Sequence, residues 1–298
     1  MVIVTSKDYK IEFRGMKFDY RLLMVFPLIL LLASAGLLIS KYSATGEWFE
    51  RSIELRGGTL LNIKTADRIS VSAIEEALSD DFGSISVRTL RGFGTQGASI
   101  QVGAEIDYTS VLDRLEERGI EVVDFSIENV GSSLSSVFWS QAQTGIIIAF
   151  IMMGLIAFAV FRTFVPSIAI IMAAASDIII TLSLMQVFGI EFSLASLGAL
   201  LMLIGYSVDT DIMLTSRLLR ETEHDMSMSE KINRALKTGL TMSLTSIGAM
   251  IAILVIPLPP VLVQIASVIL IGLSVDIVVT WFFNSVILRW YCESRGVF

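Results

Sequence analysis

Cysteine and histidine are almost missing from this 298-residue chain, with Cys292 and His224 the single representatives of each. One cysteine allows neither an intrachain disulfide nor a cysteine-based metal site. One histidine, placed in a charged loop, excludes histidine metal clusters and Ser-His-Asp chemistry. Charge is scarce too. Asp, Glu, Lys and Arg make up 17% of the residues, against about 25% in soluble domains. Apolar residues make up 54%, and mean hydropathy is +0.73. That composition belongs to the membrane class. No cleaved signal peptide is expected, because the first apolar run stands behind a basic leader of residues 1–21, spans 22–40 and lacks a convincing cleavage site.

The polarity that is present is concentrated. Residues 41–143 hold 16 of the 29 acidic and 9 of the 22 basic groups, so the formal net charge of −7 belongs to that one segment. An acidic domain argues against a nucleic-acid partner, which would require a basic face.

Apolar runs of about 20 residues cross the roughly 30 Å of bilayer hydrocarbon. Six are present, at 22–40, 144–161, 166–188, 194–217, 239–258 and 261–288. Lys and Arg in the short connections set the orientation. Lys7, Lys10, Arg14, Lys17 and Arg21 precede the first run, and Arg162 follows the second. Arg217, Arg220, Lys231, Arg234 and Lys237 follow the fourth, and Arg289 and Arg295 follow the sixth. The turns at 189–191 and 257–260 have none. Both termini are therefore expected in the cytoplasm. This partitions the chain into a cytoplasmic segment 1–21, a first span 22–40, an extracytoplasmic domain 41–143, and a five-span bundle 144–298 with a cytoplasmic loop at 217–238.

The domain has a readable rhythm. Residues 52–55 and 60–64 alternate as a strand interrupted at Arg56-Gly57-Gly58-Thr59, and 70–79 has helical spacing. Residues 84–90 and 98–102 alternate again, joined through the turn region Gly92-Phe93-Gly94 and Gln96-Gly97. A helix at 109–118 ends at Gly119, and 121–130 closes as a strand. Strand, helix, strand, strand, helix, strand is the split βαβ, ferredoxin-like order. No residue in it looks catalytic, so a binding or lever module is expected, with no cofactor.

Ionisable groups within the spans carry the sharper signal: Asp177 in the third, Asp209 and Asp211 in the fourth, and Asp276 in the sixth. Each costs about 2.5–3.5 kcal/mol near mid-helix, and no Lys, Arg or His lies deep in a span to neutralise it. Asp209 and Asp276 are expected at one depth, which makes Asp209 the favoured ion-coupling residue and Asp211, nearer the cytoplasmic boundary, the lesser one. The competing reading is hydrogen-bonded packing between helices lined with small residues. Gly198, Ala199, Gly205 and Ser207 precede Asp209, and Asn284 follows Asp276 on nearly the same face. Gly198, Gly205, Ser207 and Asn284 are therefore the candidate helix-interface positions. Opposed intramembrane aspartates also suggest a protease, but the chain has no GxGD run.

The run IGYSVDTDIMLTSRLLRE (204–221) closely resembles the SecF family of the SecD/SecF protein-export proteins, archaeal type, in the RND superfamily. The runs ELRGGT (54–59), ENVGSSL (128–134) and GLSVDIVVTWFFNSVILRW (272–290) agree with it, as do the basic leader and first span. The resemblance covers essentially the whole chain. It implies an α-helical membrane protein with six transmembrane helices, half of an RND-type transporter, plus an α+β ferredoxin-like extracytoplasmic domain between the first and second. It also implies a multi-pass protein of the cell membrane that pairs with SecD and assists translocation of unfolded preprotein through the Sec translocon channel, with the proton gradient as drive. Bacterial members typically read GYS-x-N-D in the fourth span. Here Asp209 and Thr210 take the last two places and a second acid follows at Asp211, while Lys237 is the basic group nearest to the fifth-span Arg of those members. Two alternatives remain open: a non-coupled subunit that stabilises SecD, and an RND-type exporter of lipids or small molecules.

Overall fold

The computed structural model describes residues 10–13, 16–65, 71–82, 85–92, 95–103, 106–220, 228–256 and 258–295. His224, Phe93, Gly94, Pro257 and part of the basic leader lie outside them. The chain divides into two compact units, one of 1–50, 145–191 and 195–298, the other of 51–144 together with 192–194.

The first unit opens with a short hairpin in the leader, β1 (Lys10–Phe13) paired antiparallel with β2 (Met16–Asp19), followed by a 3-10 turn at Tyr20–Met24. Nothing in the apolar pattern of the basic leader marks this hairpin. Helix α1 (Val25–Thr45) follows. After the domain come the spanning helices α5 (Ser132–Phe161), α6 (Phe164–Val187), α7 (Leu194–Arg220) and α8 (Met228–Val255). The last span consists of α9 (Pro260–Val279), a π turn at Thr280–Asn284 and α10 (Ser285–Arg295). All six spans are long and apolar enough to cross a membrane. Helices outrun the apolar runs because helical backbone continues into water once capped or packed. Thus α5 starts at Ser132 rather than near 144, and α7 and α8 take up most of the expected loop 217–238.

Burial sorts the helices. In the most apolar window of each, 61% of α6 is buried against 11% of α1 and of α8. Helix α6 is the centre of the unit and packs against α1 and α9, with α8 on the far side of α9. Small residues let the backbones approach. A Cβ at Gly272 of α9 would run into the Leu203 side chain of α7, and one at Gly239 of α8 would run into Trp281.

The second unit is a four-stranded antiparallel sheet with two longer helices and one single helical turn. Its elements are α2 (Ile53–Arg56), β3 (Gly58–Thr65), α3 (Val71–Phe82), β4 (Ser86–Gly92), β5 (Thr95–Val102), α4 (Tyr108–Glu117) and β6 (Val122–Val130). The sheet order is β4-β5-β3-β6, which is the ferredoxin-like arrangement. Alternation on β3 sends Leu61 and Ile63 into the core, where Leu61 pairs with Ile100 and Ile63 with Ala98 of β5. Ile74 and Leu78 of α3 and Val111 and Leu115 of α4 close the core. Asp107 caps α4 by accepting from the Thr109 N–H and hydroxyl, and those two bonds hold its carboxyl below the usual range.

One element differs from expectation. Residues 52–55 do not extend β3 but wind into the single turn α2, with the Leu55 and Arg56 N–H groups both donating to Ser52 O. Two buried apolar residues in four, Ile53 and Leu55, suit a helical turn as well as a strand. Gly57 and Gly58, at φ 81° and 139°, then swing the chain into β3. These glycines also bring two sequence motifs together. Gly57 sits against Ser132 and Ser135 at the start of α5, and Asn129 Nδ2 donates to Thr59 Oγ1 at 2.9 Å.

A Cβ at Gly58 would stand 2.6 Å from Val102 O, in a backbone region that L-residues avoid. Gly58→Ala should therefore destabilise the domain by about 1–3 kcal/mol. In the full-length protein in membranes this reads out as faster limited proteolysis of the domain than in wild type. Gly131→Ala, where a Cβ meets nothing within 4 Å, should leave the rate unchanged.

Candidate functional site

Spacing on α7 decides which of its acids faces inward. Ser207 and Asp211 are four residues apart and share a face. Asp209 lies two residues from each, about 200° round the helix. Ser207 and Asp211 are 1% and 0% exposed, whereas Asp209 is exposed. The expected pairing of Asp209 with Asp276 is therefore corrected. The α7 acid that joins the interior is Asp211, because it follows Ser207 by one turn and both lie on the face that meets α6 and α9.

Around Asp211 the interior gathers a chain of polar groups from three spans. Asp177 of α6, Asp276 of α9, and Thr280 and Asn284 of the π turn are all at most 1% exposed. Ser207 Oγ donates to Asp177 Oδ2 at 2.7 Å. Asp177 and Asp276 are close enough to act on each other electrostatically. Thr280 Oγ1 lies 3.1 Å from Asp276 Oδ1 and 3.0 Å from Asp211 Oδ1. Asn284 Nδ2 donates to that same Asp211 oxygen at 2.7 Å. The small residues Ala173, Ala174 and Ser176 surround Asp177 on α6 and are buried with it, leaving room for the carboxyl where larger side chains would fill the space.

Proton bookkeeping constrains this chain. A threonine hydroxyl carries one hydrogen and two lone pairs. Thr280 touches two carboxyl oxygens with one hydrogen to offer, so a proton on Asp211 Oδ1 or Asp276 Oδ1 would let each contact be a full hydrogen bond. Asp177 Oδ1, Asp211 Oδ2 and Asp276 Oδ2 have no hydrogen-bond partner among the described residues. Among the described residues, no group of His, Cys, Asp and Glu converges with metal-holding geometry. The chemistry this arrangement supports is the holding and passing of protons along Asp177, Asp276, Thr280 and Asp211.

The outer face of α7 is different in kind. Asp209, Tyr206 and Thr210 line an open cavity of about 690 Å³ together with Lys237, Thr241 and Ser246 of α8. Lys237, expected at a loop boundary, is part of this wall. Sequence reading passed over the α8 contribution, although Thr238, Thr241, Thr245 and Ser246 recur at helical spacing and mark a polar stripe. It also passed over Thr280, whose signal was its four-residue distance from Asp276. Of the candidate interface positions, Ser207 and Asn284 belong to the buried chain. A Cβ at Gly198 or at Gly205 would meet no atom within 4 Å.

Comparison with known proteins agrees with this architecture. The family model for "Protein export membrane protein SecD/SecF, C-terminal" matches residues 110–294. Proteins named "Protein-export membrane protein SecF" are similar over nearly the full length. That of Methanothermobacter thermautotrophicus is 39% identical, covering 93% of this chain and 94% of its own. That of Haloferax volcanii is 37% identical, covering 96% and 99%, and that of Pyrococcus furiosus is 36% identical, covering 93% of each. A crystal structure of SecDF, a translocon-associated membrane protein from Thermus thermophilus, superposes with a TM-score of 0.75 at 21% identity, over 92% of this chain. At that identity the likeness establishes the fold, and the chain spans 38% of that SecDF chain. With full-length relatives at this identity and a family model over most of the bundle, the chain belongs to the SecF family of protein-export membrane proteins.

Proposed function

We propose that this chain is the smaller subunit of a SecD–SecF-type complex in the cytoplasmic membrane, where it assists preprotein translocation and couples it to proton movement through the buried acid chain. The observation that supports the proton role is the Thr280 bridge between Asp211 and Asp276, a pair of contacts that an acid proton on one of the two carboxyls would complete. The whole-length likeness to SecF proteins supports the export role. Moving one charge through 100 mV releases about 2.3 kcal/mol, enough to bias a conformational equilibrium some 50-fold. The loop charge asymmetry supports cytoplasmic termini and an extracytoplasmic domain around 41–143. The Sec channel and unfolded preprotein are the further partners this role requires.

The open face of α7 supports a partner contact in the membrane. Gly198 and Gly205, seven residues apart on one face, each leave room for a Cβ, unlike Gly239 and Gly272, which this chain uses itself. A helix of the larger subunit against that face would cover both glycines and the cavity wall at Asp209. Gly205→Leu should lower recovery of the partner in mild detergent about tenfold, equivalent to about 1.4 kcal/mol, and leave the domain's protease resistance unchanged. Undiminished recovery would remove this surface from the interface.

Orientation is open to direct labelling. In a Cys292→Ala background, a cysteine at exposed Glu116 should react with an impermeant maleimide in intact cells, and one at Glu230 only after permeabilisation. The reverse pattern would invert the topology.

The acids separate by role. Asp211→Asn and Asp276→Asn retain shape and hydrogen-bonding groups but cannot exchange a proton, and each should slow preprotein export about tenfold or more with subunit levels unchanged. Asp209→Asn should have a smaller effect. Wild-type export in both buried variants, beside a severe defect in Asp209→Asn, would move the coupling site to the cavity. Wild-type export in all three would favour an uncoupled subunit that stabilises its partner.

A further inference from the structure

The last span changes its winding inside the bundle. Helix α9 is regular to Val279, Thr280–Asn284 form a π turn, and α10 resumes at Ser285. Such a turn accommodates one extra residue and is frequent at functional sites. Its backbone consequence is specific. The Ser285 N–H donates to Thr280 O, five residues back, and not to Trp281 O. The Trp281 carbonyl released by this winding accepts from the Ser285 hydroxyl instead. One side chain therefore satisfies the group that the π turn would otherwise orphan.

The turn also sets a bearing. In an unbroken α-helix Asn284, eight residues after Asp276, would sit about 80° round from it. The extra residue takes about 100° back, which returns Asn284 to within about 20° of the Asp276 direction. From there Asn284 Nδ2 and Thr280 Oγ1 reach the same Asp211 oxygen, at 2.7 and 3.0 Å. Both ends of the π turn are tied to one carboxyl oxygen on another helix.

We propose that the Thr280–Asn284 turn is a register latch held by Asp211 and Ser285. While Asp211 Oδ1 accepts from Thr280 and Asn284, the turn stays in its π winding. When that oxygen takes up a proton, it becomes a donor and can no longer accept both bonds. The span then relaxes to a continuous α-helix, and α10 turns by one residue. The Ser285 N–H exchanges Thr280 O for Trp281 O, and the Ser285 hydroxyl is released. Only the trigger rests on the proton reading above; the latch rests on the hydrogen bonds just described. The titratable groups that act on Asp211 are Asp276 and, beyond it, Asp177. Asp209 and Lys237 face the outer cavity.

Cys292 reports on the latch. It is fully buried on α10 in a cluster with Leu214, Ala235 and Leu288, with Lys231 and Glu293 as its charged neighbours. A one-residue turn gives it the bearing that half-buried Glu293 has now. It is the chain's only cysteine, so alkylation is unambiguous. The experiment measures N-ethylmaleimide labelling of the full-length protein in native membranes with its partner present. Ser285→Ala removes one oxygen and none of the acids, and should raise the labelling rate at neutral pH about fivefold or more through local opening. Asp211→Leu should do the same where it inserts. Ser43→Ala, which removes an equivalent hydroxyl-to-carbonyl bond on exposed α1, should not. A wild-type rate in Ser285→Ala overturns the latch. For the trigger, the ratio of the Ser285→Ala rate to the wild-type rate cancels the thiol's own ionisation, and should fall towards one as pH is lowered. A ratio constant with pH overturns the trigger. Labelling does not read export, so failure of the latch and failure of the export reading are separate results.

Discussion

Inside a bilayer a polar group has only the protein to bond with, and in this chain that constraint acts hardest on three carboxyls. Asp177, Asp211 and Asp276 are brought to one place by three helices and are buried there. Their neighbours are hydroxyls and an amide: Ser207, Thr280 and Asn284. A permanent cation beside them would hold all three charged and fixed. Hydroxyls and an amide, which can donate or accept, instead leave the number of protons free to change. Much of the bundle follows from keeping that place dry and crowded with small residues. Ala173 and Ala174 make room on α6, and Gly272 lets α9 press against Leu203 of α7.

The domain shows the same rule at a boundary of a different kind. Its unit includes Phe192–Leu194, and the contacts there explain the acid of the ELRGGT run. The Ser52 N–H donates to Phe192 O at 2.9 Å, and Glu54 Oε2 accepts from the Leu194 N–H at 2.9 Å. Leu194 is the first residue of α7, so Glu54 satisfies one of the four N–H groups that a helix start leaves bare, and places negative charge where the helix dipole favours it. Phe192 is itself buried, edge-on to Trp139, and Arg51 lies over that same Trp139 ring. The ELRGGT run is part of a small assembly in which an acid, two glycines and the aromatic Phe192 each have a separate task.

What was legible in the sequence was what depends on period and length. Six apolar runs gave six spans, and the alternation of the domain gave its strand and helix order. Those signals are integrals over many residues and survive local error. The orientation of a single side chain is not such an integral. Asp209 and Asp211 differ by two positions, and depth alone ranked the wrong one for the interior. The decisive signal was the four-residue step from Ser207 to Asp211, matched by that from Asp276 to Thr280. The π turn was beyond reach, because a one-residue shift in winding leaves the apolar pattern of 261–288 unchanged. The turn at Ile53–Arg56 was missed for a related reason: four residues are too few to distinguish a period of two from one of 3.6.

The division of labour on α7 follows from these same periods. One helix carries Ser207 and Asp211 on its inner side, and Tyr206, Asp209 and the open glycines on its outer side. Because Asp209 and Asp211 point about 200° apart, a group docked on the outer side has no direct access to the inner oxygens. An influence on the inner chain must then travel as movement of the helix itself, by rotation or sliding of α7 against α6 and α9. Small translations are enough. Asp211 Oδ1 is held by donors at 2.7 and 3.0 Å, and hydrogen bonds weaken steeply once that range is exceeded. A shift of α7 by about one ångström along its axis, less than the rise of one residue, would weaken the contacts that, in the proposed latch, hold both the protons and the winding of the last span. Reciprocity requires the converse as well: a change in proton count must bias the position of α7 by the same free energy. The acid that faces outward and the acid that faces inward then belong to one rigid element, and in the proposed coupling their separation by half a turn would let a partner on one side act on protons on the other.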